Sequence, residues 1–229
     1  MHRNGVYSES YIVNMIGFIN TKNDSIYQNV EIVTVFYDTG SFSSVTEQVR
    51  TVGYTDEVAR GHYDANKENP IMGMYPTVLN PKSRGEILLR SKDPKAKPLI
   101  YPHYFSDEKG EDLETFLEAI RFVEQLVATE EFRKHEPQLV RFEIPICDGL
   151  AFRSDDYWRC AIKQMTSTIY HPVGTCAMGP ENDGKAVVDP RLRLYGVKNV
   201  RVVDASIMPT IISAHTNAPS MMIGHKAGR

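Results

Sequence analysis

Fifteen glycines are spread along 229 residues, and no two of them stand two positions apart. A βαβ nucleotide-binding unit needs glycines at that spacing, so that the backbone can turn tightly and approach a pyrophosphate. The chain therefore has no GxGxxG fingerprint, and it is not expected to bind a dinucleotide by itself; no complete GxxxxGK[ST] Walker loop is present either. GxSxG and HExxH patterns are absent too. No serine or cysteine sits in a nucleophile-type turn, which argues against a hydrolase.

Length allows one large domain or two small ones. Lysine plus arginine is 26 against 29 acids, a net charge of -3. That balance argues against a nucleic-acid partner. The longest mainly apolar stretch, Tyr11 to Ile19, is broken by Asn14 and is too short to span a membrane as a helix. Met1-His2-Arg3-Asn4 leads into no convincing signal peptide. The triplet Asn23-Asp24-Ser25 is expected to match a glycosylation site by chance. Cys147, Cys160 and Cys176 form no CxxC pair and no zinc pattern. One disulfide can form among them, but buried reduced thiols are the expectation. No metal site is expected.

Ile12 to Asn20 and Val30 to Tyr37 read as strands. The second is apolar on both alternating faces, which predicts a strand covered on both sides. Thr39 to Asn69, polar and carrying Gly53 and Gly61, reads as a long excursion. Asn80-Pro81-Lys82-Ser83-Arg84-Gly85 is a turn cluster, followed by short strands at Glu86 to Leu89 and at Leu99 to Tyr101. Leu113, Phe116, Leu117, Ile120, Val123 and Val127 recur at helical spacing after Gly110. Ser154 predicts the N-cap of another helix with Trp158, Ala161, Ile162 and Met165 inward. Thr166 to Tyr170 and Asn199 to Asp204 read as strands. Asn217 is expected to cap a last helix, with Pro219 in its first turn.

Two histidines lie where such elements end. His171 follows the β-prone run in Tyr170-His171-Pro172-Val173-Gly174-Thr175-Cys176, and His215 precedes the last helix in Ser213-Ala214-His215-Thr216-Asn217. Imidazole suits proton transfer near neutral pH, and loops at element ends commonly carry such groups. A lone histidine is more often structural. The helix start after His215 offers unbonded N–H groups and a positive dipole end, suited to an anion or an electron-rich ring edge. Asn217 often does no more than cap in such a position. Asp204 could bond a ribose or ribityl hydroxyl, or simply its own backbone.

Taken in order, several segments resemble the C-terminal part of the glucose–methanol–choline (GMC) flavin oxidoreductases. They are Asn80 to Gly85 with Asp93-Pro94, His171-Pro172-Val173-Gly174-Thr175, Val188-Asp189-Pro190 with Tyr195-Gly196-Val197, Val200 to Ser206, and His215 to Ile223. Within the family the chain looks most like the FAD-dependent, quinone-reducing glucose dehydrogenases. The resemblance implies an α+β fold: a mainly antiparallel substrate-domain sheet with helices, plus the C-terminal strand and helix of an incomplete FAD-binding domain. It places 1–80 in the first part of the substrate domain, 81–170 in the rest of it, and 171–229 in segments returning to the FAD domain.

The same resemblance implies FAD as cofactor and an alcohol or sugar as substrate, with a quinone or other electron acceptor. By position, His171 would take the hydroxyl proton while hydride leaves for flavin N5, and His215 would hold the same oxygen. Asp204, Ala205, Thr216 and Asn217 would meet the flavin. The family's glycine-rich N-terminal FAD domain has no counterpart in this sequence and is the expected packing partner. Gly224 to Arg229 stands where the family has a longer acidic helix ending. The alternative is a non-catalytic fragment or interaction module without the FAD-binding half.

Overall fold

The structure, a computed structural model, describes residues 15–22 and 26–228. The N-terminal tetrapeptide, positions 12–14 of the first expected strand and the Asn23 triplet lie outside the described residues. The chain divides into two compact units. One runs to Val78 and resumes over Lys109–Ser167; the other takes Leu79–Glu108 and everything from Thr168 on.

The first unit holds a three-stranded antiparallel sheet of β1 (Met15–Ile19), β2 (Val30–Tyr37) and β3 (Ile71–Val78), with β2 central. Gly17 of β1 pairs with Ile32, which pairs in turn with Pro76 of β3. The alternation in β2 does what its composition requires. Val30 and Ile32 pack on one face against Ala119 of α3 (Glu111–Val127). Val35 and Tyr37 pack on the other against Val45 and Val49 of α1 (Phe42–Val52) and Ala59 of α2 (Asp56–Glu68).

Those two helices replace the expected excursion over Thr39 to Asn69. Their buried positions are Val45 and Val49 in α1 and Val58, Ala59, His62 and Asn66 in α2, so half of α2's buried stripe is polar. Hydrophobic periodicity alone therefore misses it. Gly53 ends α1 in the left-handed conformation at φ 74°, donating its N–H to Val49, a common helix stop. His62 is buried between the rings of Tyr54 and Phe142, with Nδ1 2.9 Å from the Val58 carbonyl. Burial pushes its pKa down.

Next come α3, the short α4 (Glu130–Arg133) and α5 (Asp155–Met165). Ser154 caps α5 as expected, its hydroxyl accepting from the Tyr157 N–H at 3.1 Å. Tyr157 is buried alongside Ala161 and Ile162, whereas Trp158 is half-buried. The cysteine expectation is corrected here. Cys147 and Cys160 form a disulfide across a 13-residue separation, leaving Cys176 as the free thiol. Sequence spacing could not place them together; the packing of α5 on the 3-10 turn Pro145–Cys147 does.

Glu124 ties α3 to the start of α5. Its side chain is 8% exposed and accepts from Arg121, Arg153 and the Trp158 indole N–H. Burial alone would raise its pKa, but the hydrogen bonds from Arg121 and Arg153 outweigh that and hold it below the usual glutamate range. Glu124→Ala should cost about 2–3 kcal/mol in urea unfolding at neutral pH, below the usual cost of a broken buried pair because both arginines keep access to water. A depressed folded-state pKa means that this stability is present above the ordinary glutamate range. It is lost as pH falls through that range to the folded value, so variant and wild type should converge in acid.

The second unit carries a hairpin of β4 (Glu86–Leu88) and β5 (Leu99–Tyr101), also antiparallel. Its core is Val188, Ile207 and Ile223, the last from α6 (Asn217–Ala227). Two expected strands are corrected. Thr166 to Tyr170 forms none: Thr166 ends α5, and Tyr170 takes a left-handed backbone at φ 64° that breaks any extended run. Asn199 to Asp204 contributes one bridge, Arg193 with Arg201, flanked by backbone bonds between Leu192 to Leu194 and Val200 to Val202. Leu89 and Ile100 of this unit are 88% and 65% exposed, and Met221 and Met222 also face outward. Helices beside separate antiparallel sheets make the fold α+β, as expected. Among the described residues no helix is long and apolar enough to cross a membrane.

Candidate functional site

The site is built within the second unit, where the His171 loop meets the start of α6. The Cys176 N–H donates to the Ser206 carbonyl at 3.0 Å and the Met178 N–H to Ile207 at 2.8 Å. These bonds lay the segment after His171 along the turn Ala205–Ile207. Gly174 lies between, at φ 89°, and a Cβ there would stand 3.3 Å from the Met208 carbonyl oxygen. Glycine is required twice over, by the backbone angle and by the close approach. The left-handed Tyr170 immediately precedes His171. Such backbone strain concentrates at functional positions, and nothing in the sequence signalled it.

Asn217 is not the cap of α6, contrary to expectation. It is the first helical residue, and Thr216 holds the cap position with helical backbone angles, φ -85° and ψ -1°. The Thr216 hydroxyl does not cap the helix; it lies 2.9 Å from His171 Nδ1. On the other side of that ring, His171 Nε2 lies 2.8 Å from His215 Nδ1, with the two rings 84° apart. The fold thus brings together three of the sequence candidates, His171, His215 and Thr216, across 44 and 45 residues of chain. Thr216 is buried, His171 half-buried and His215 exposed, so the pair opens to one side.

The start of α6 carries no acidic residue and no side-chain cap, and Pro219 has no N–H. The Asn217 and Ala218 N–H groups lie in its first turn, and both residues are exposed. This is a positive helix end beside the histidines. Ser213, two residues before His215, lies within 3.3 Å of the Asn80 side-chain oxygen, which ties the expected turn cluster to the His215 loop. Asp204 behaves as a turn aspartate. Its Oδ1 accepts from the Ser206 N–H at 2.8 Å and the Ser206 hydroxyl at 2.5 Å. Those bonds hold its carboxyl below the usual range. Asp204 and Ala205 stand in the turn whose Ser206 carbonyl accepts from the Cys176 N–H; Ser206 is a residue the sequence did not single out. Among the described residues, no group of three or more histidine, cysteine or acidic side chains is placed to hold a metal.

A family model described as GMC oxidoreductase matches residues 81–224. The chain is 41% identical over 178 residues to glucose dehydrogenase [FAD, quinone] of Drosophila pseudoobscura pseudoobscura, covering 76% of this chain and 28% of that one. It is 44% identical over 149 residues to alcohol dehydrogenase [acceptor] of Pseudomonas putida, covering 65% and 25%. The chain thus spans about a quarter of the length of these relatives. Among solved structures it is similar to formate oxidase of Aspergillus oryzae RIB40, with a TM-score of 0.67 and 23% identity, over 93% of this chain and 36% of that one.

Proposed function

The chain belongs to the GMC oxidoreductase family, and from that premise we propose that it is the histidine-bearing portion of an FAD-dependent oxidoreductase acting on CH–OH groups of alcohols or sugars. The observation that carries this reading is the contact between His171 Nε2 and His215 Nδ1 beside the open start of α6. An alcohol oxygen that displaced the direct bond between the rings would meet one nitrogen of each. His171 takes the hydroxyl proton at Nε2, and His215 holds the oxygen in register through Nδ1.

FAD, when bound, supplies the hydride acceptor. The residues present fit its electron-rich ring edge: the Asn217 and Ala218 N–H groups stand at an uncapped helix end whose first turn holds no acid. With no glycine fingerprint in the sequence, the grip on the ADP half falls to residues outside this chain. Leu89, Ile100, Met221 and Met222 offer apolar surface on which such a domain would pack. A quinone or another acceptor reoxidises the flavin.

The test is anaerobic addition of alcohols and aldoses to the flavin-loaded protein at its native length. The yellow absorbance should bleach with a subset of them. Retained colour across both classes would refute the reading.

A further inference from the structure

We propose that Thr216 is a positioning residue that fixes the His171 ring and accepts a hydrogen bond from its Nδ1–H when Nε2 becomes protonated. The proposal rests on the reading of His171 as the proton acceptor.

The first support is a cap residue that does not cap. Threonine before a helix ordinarily bonds the N–H of the second or third helical residue. Here the third is Pro219, which has no N–H, and Thr216 has helical rather than extended backbone angles. The hydroxyl is turned instead toward His171 Nδ1, at 2.9 Å. Thr216 is 8% exposed, so water competes poorly for the bond. Its backbone is held as well, because the Thr216 carbonyl accepts from the Ser220 N–H at 3.0 Å and the Ser220 hydroxyl at 2.6 Å. A β-branched side chain on an anchored backbone has few rotamers to choose from.

The second support is proton accounting. An imidazole protonated at Nε2 by the alcohol carries N–H on both nitrogens if Nδ1 also holds a proton. That Nδ1–H then needs an acceptor, and the Thr216 oxygen stands at hydrogen-bond distance. The hydroxyl can rotate, so it bonds Nδ1 in either protonation state of the ring. The bond to the charged ring is the stronger of the two, by roughly twofold. Thr216 therefore favours proton uptake at Nε2 without adding a charge to the site. His215 is a titratable group facing His171 on its other side.

The experiment uses the protein at its native length, labelled with nitrogen-15 in histidine, with the His171 ring signals assigned by their loss in His171→Gln. The ring is titrated in wild type, Thr216→Val, Thr216→Ala and Thr216→Ser. Valine and alanine should each lower the His171 midpoint by about half to one pH unit, and serine should restore it to within a few tenths. A His171 midpoint unmoved in both the valine and alanine variants would overturn the proposal, as would a serine variant that behaves like alanine. Alanine keeps the test open should valine disturb the fold. This outcome does not depend on turnover, so it is separate from failure of the flavin-bleaching test.

Discussion

His171→Ala lowers the rate of flavin reduction by an alcohol or sugar about 10²–10⁴-fold, the range for removal of a positioned general base, while the flavin stays bound. The two effects separate because the ring and the helix end are different parts of the site. The substitution removes the group proposed to take the hydroxyl proton. It leaves the uncapped start of α6, with Asn217 and Ala218, where the flavin edge would rest. It also leaves the His215 ring to bind the substrate oxygen, so affinity for substrate should change less than the rate of reduction. Anaerobic stopped-flow mixing at several substrate concentrations measures both. Reduction at the wild-type rate would remove His171 from the chemistry. Loss of the flavin colour itself would mean that the ring supports the cofactor, not the proton transfer.

Reduction of the Cys147–Cys160 bridge lowers the stability of the first unit by about 3 kcal/mol, the chain-entropy value for closing a loop near 15 residues. The bridge spans a 13-residue separation, with Cα atoms 5.9 Å apart. Cys147 is completely buried among Val58, Ile144, Tyr157 and Ala161, so it joins the turn before α5 to the helix itself and to α2. Without the bridge, the unfolded chain regains the freedom that the loop had lost, while the packed cluster remains. Urea unfolding with and without reductant, repeated on the Cys147→Ala/Cys160→Ala double variant, measures the cost. Reductant should have no effect on the double variant. A wild-type midpoint insensitive to reductant would show that the bridge does not contribute.

Local signals in the sequence reached the central strand, the long helix and the cap of α5. Alternation along Val30 to Tyr37 states that both faces are covered, and the 3.6-residue period from Leu113 to Val127 states a helix, because each follows from bonds within a few residues. Ser154 likewise acts on the N–H three residues ahead. The helix α2 was hidden because His62 and Asn66 fill inward positions that an apolar period expects to find hydrophobic. The Asn66 amide donates to the Asp38 carbonyl at 2.9 Å, a partner 28 residues away that no local rule could supply. The disulfide was hidden for the same reason, since pairing depends on where the chain returns.

Sequence by itself determined the family, through several motifs in register, and with it the two histidines as candidates. It also established that the chain carries no nucleotide-binding glycine loop. Only the tertiary structure decided that His171 and His215 meet at hydrogen-bond distance, and that Thr216 gives its hydroxyl to His171 rather than to the helix. It placed Asn217 inside the helix, and it returned 79–108 to the C-terminal unit. The physical reason is the same in each case. Residue type and short-range spacing encode what a side chain can do, whereas a hydrogen bond between groups 44 residues apart depends on how the intervening backbone is paired and packed.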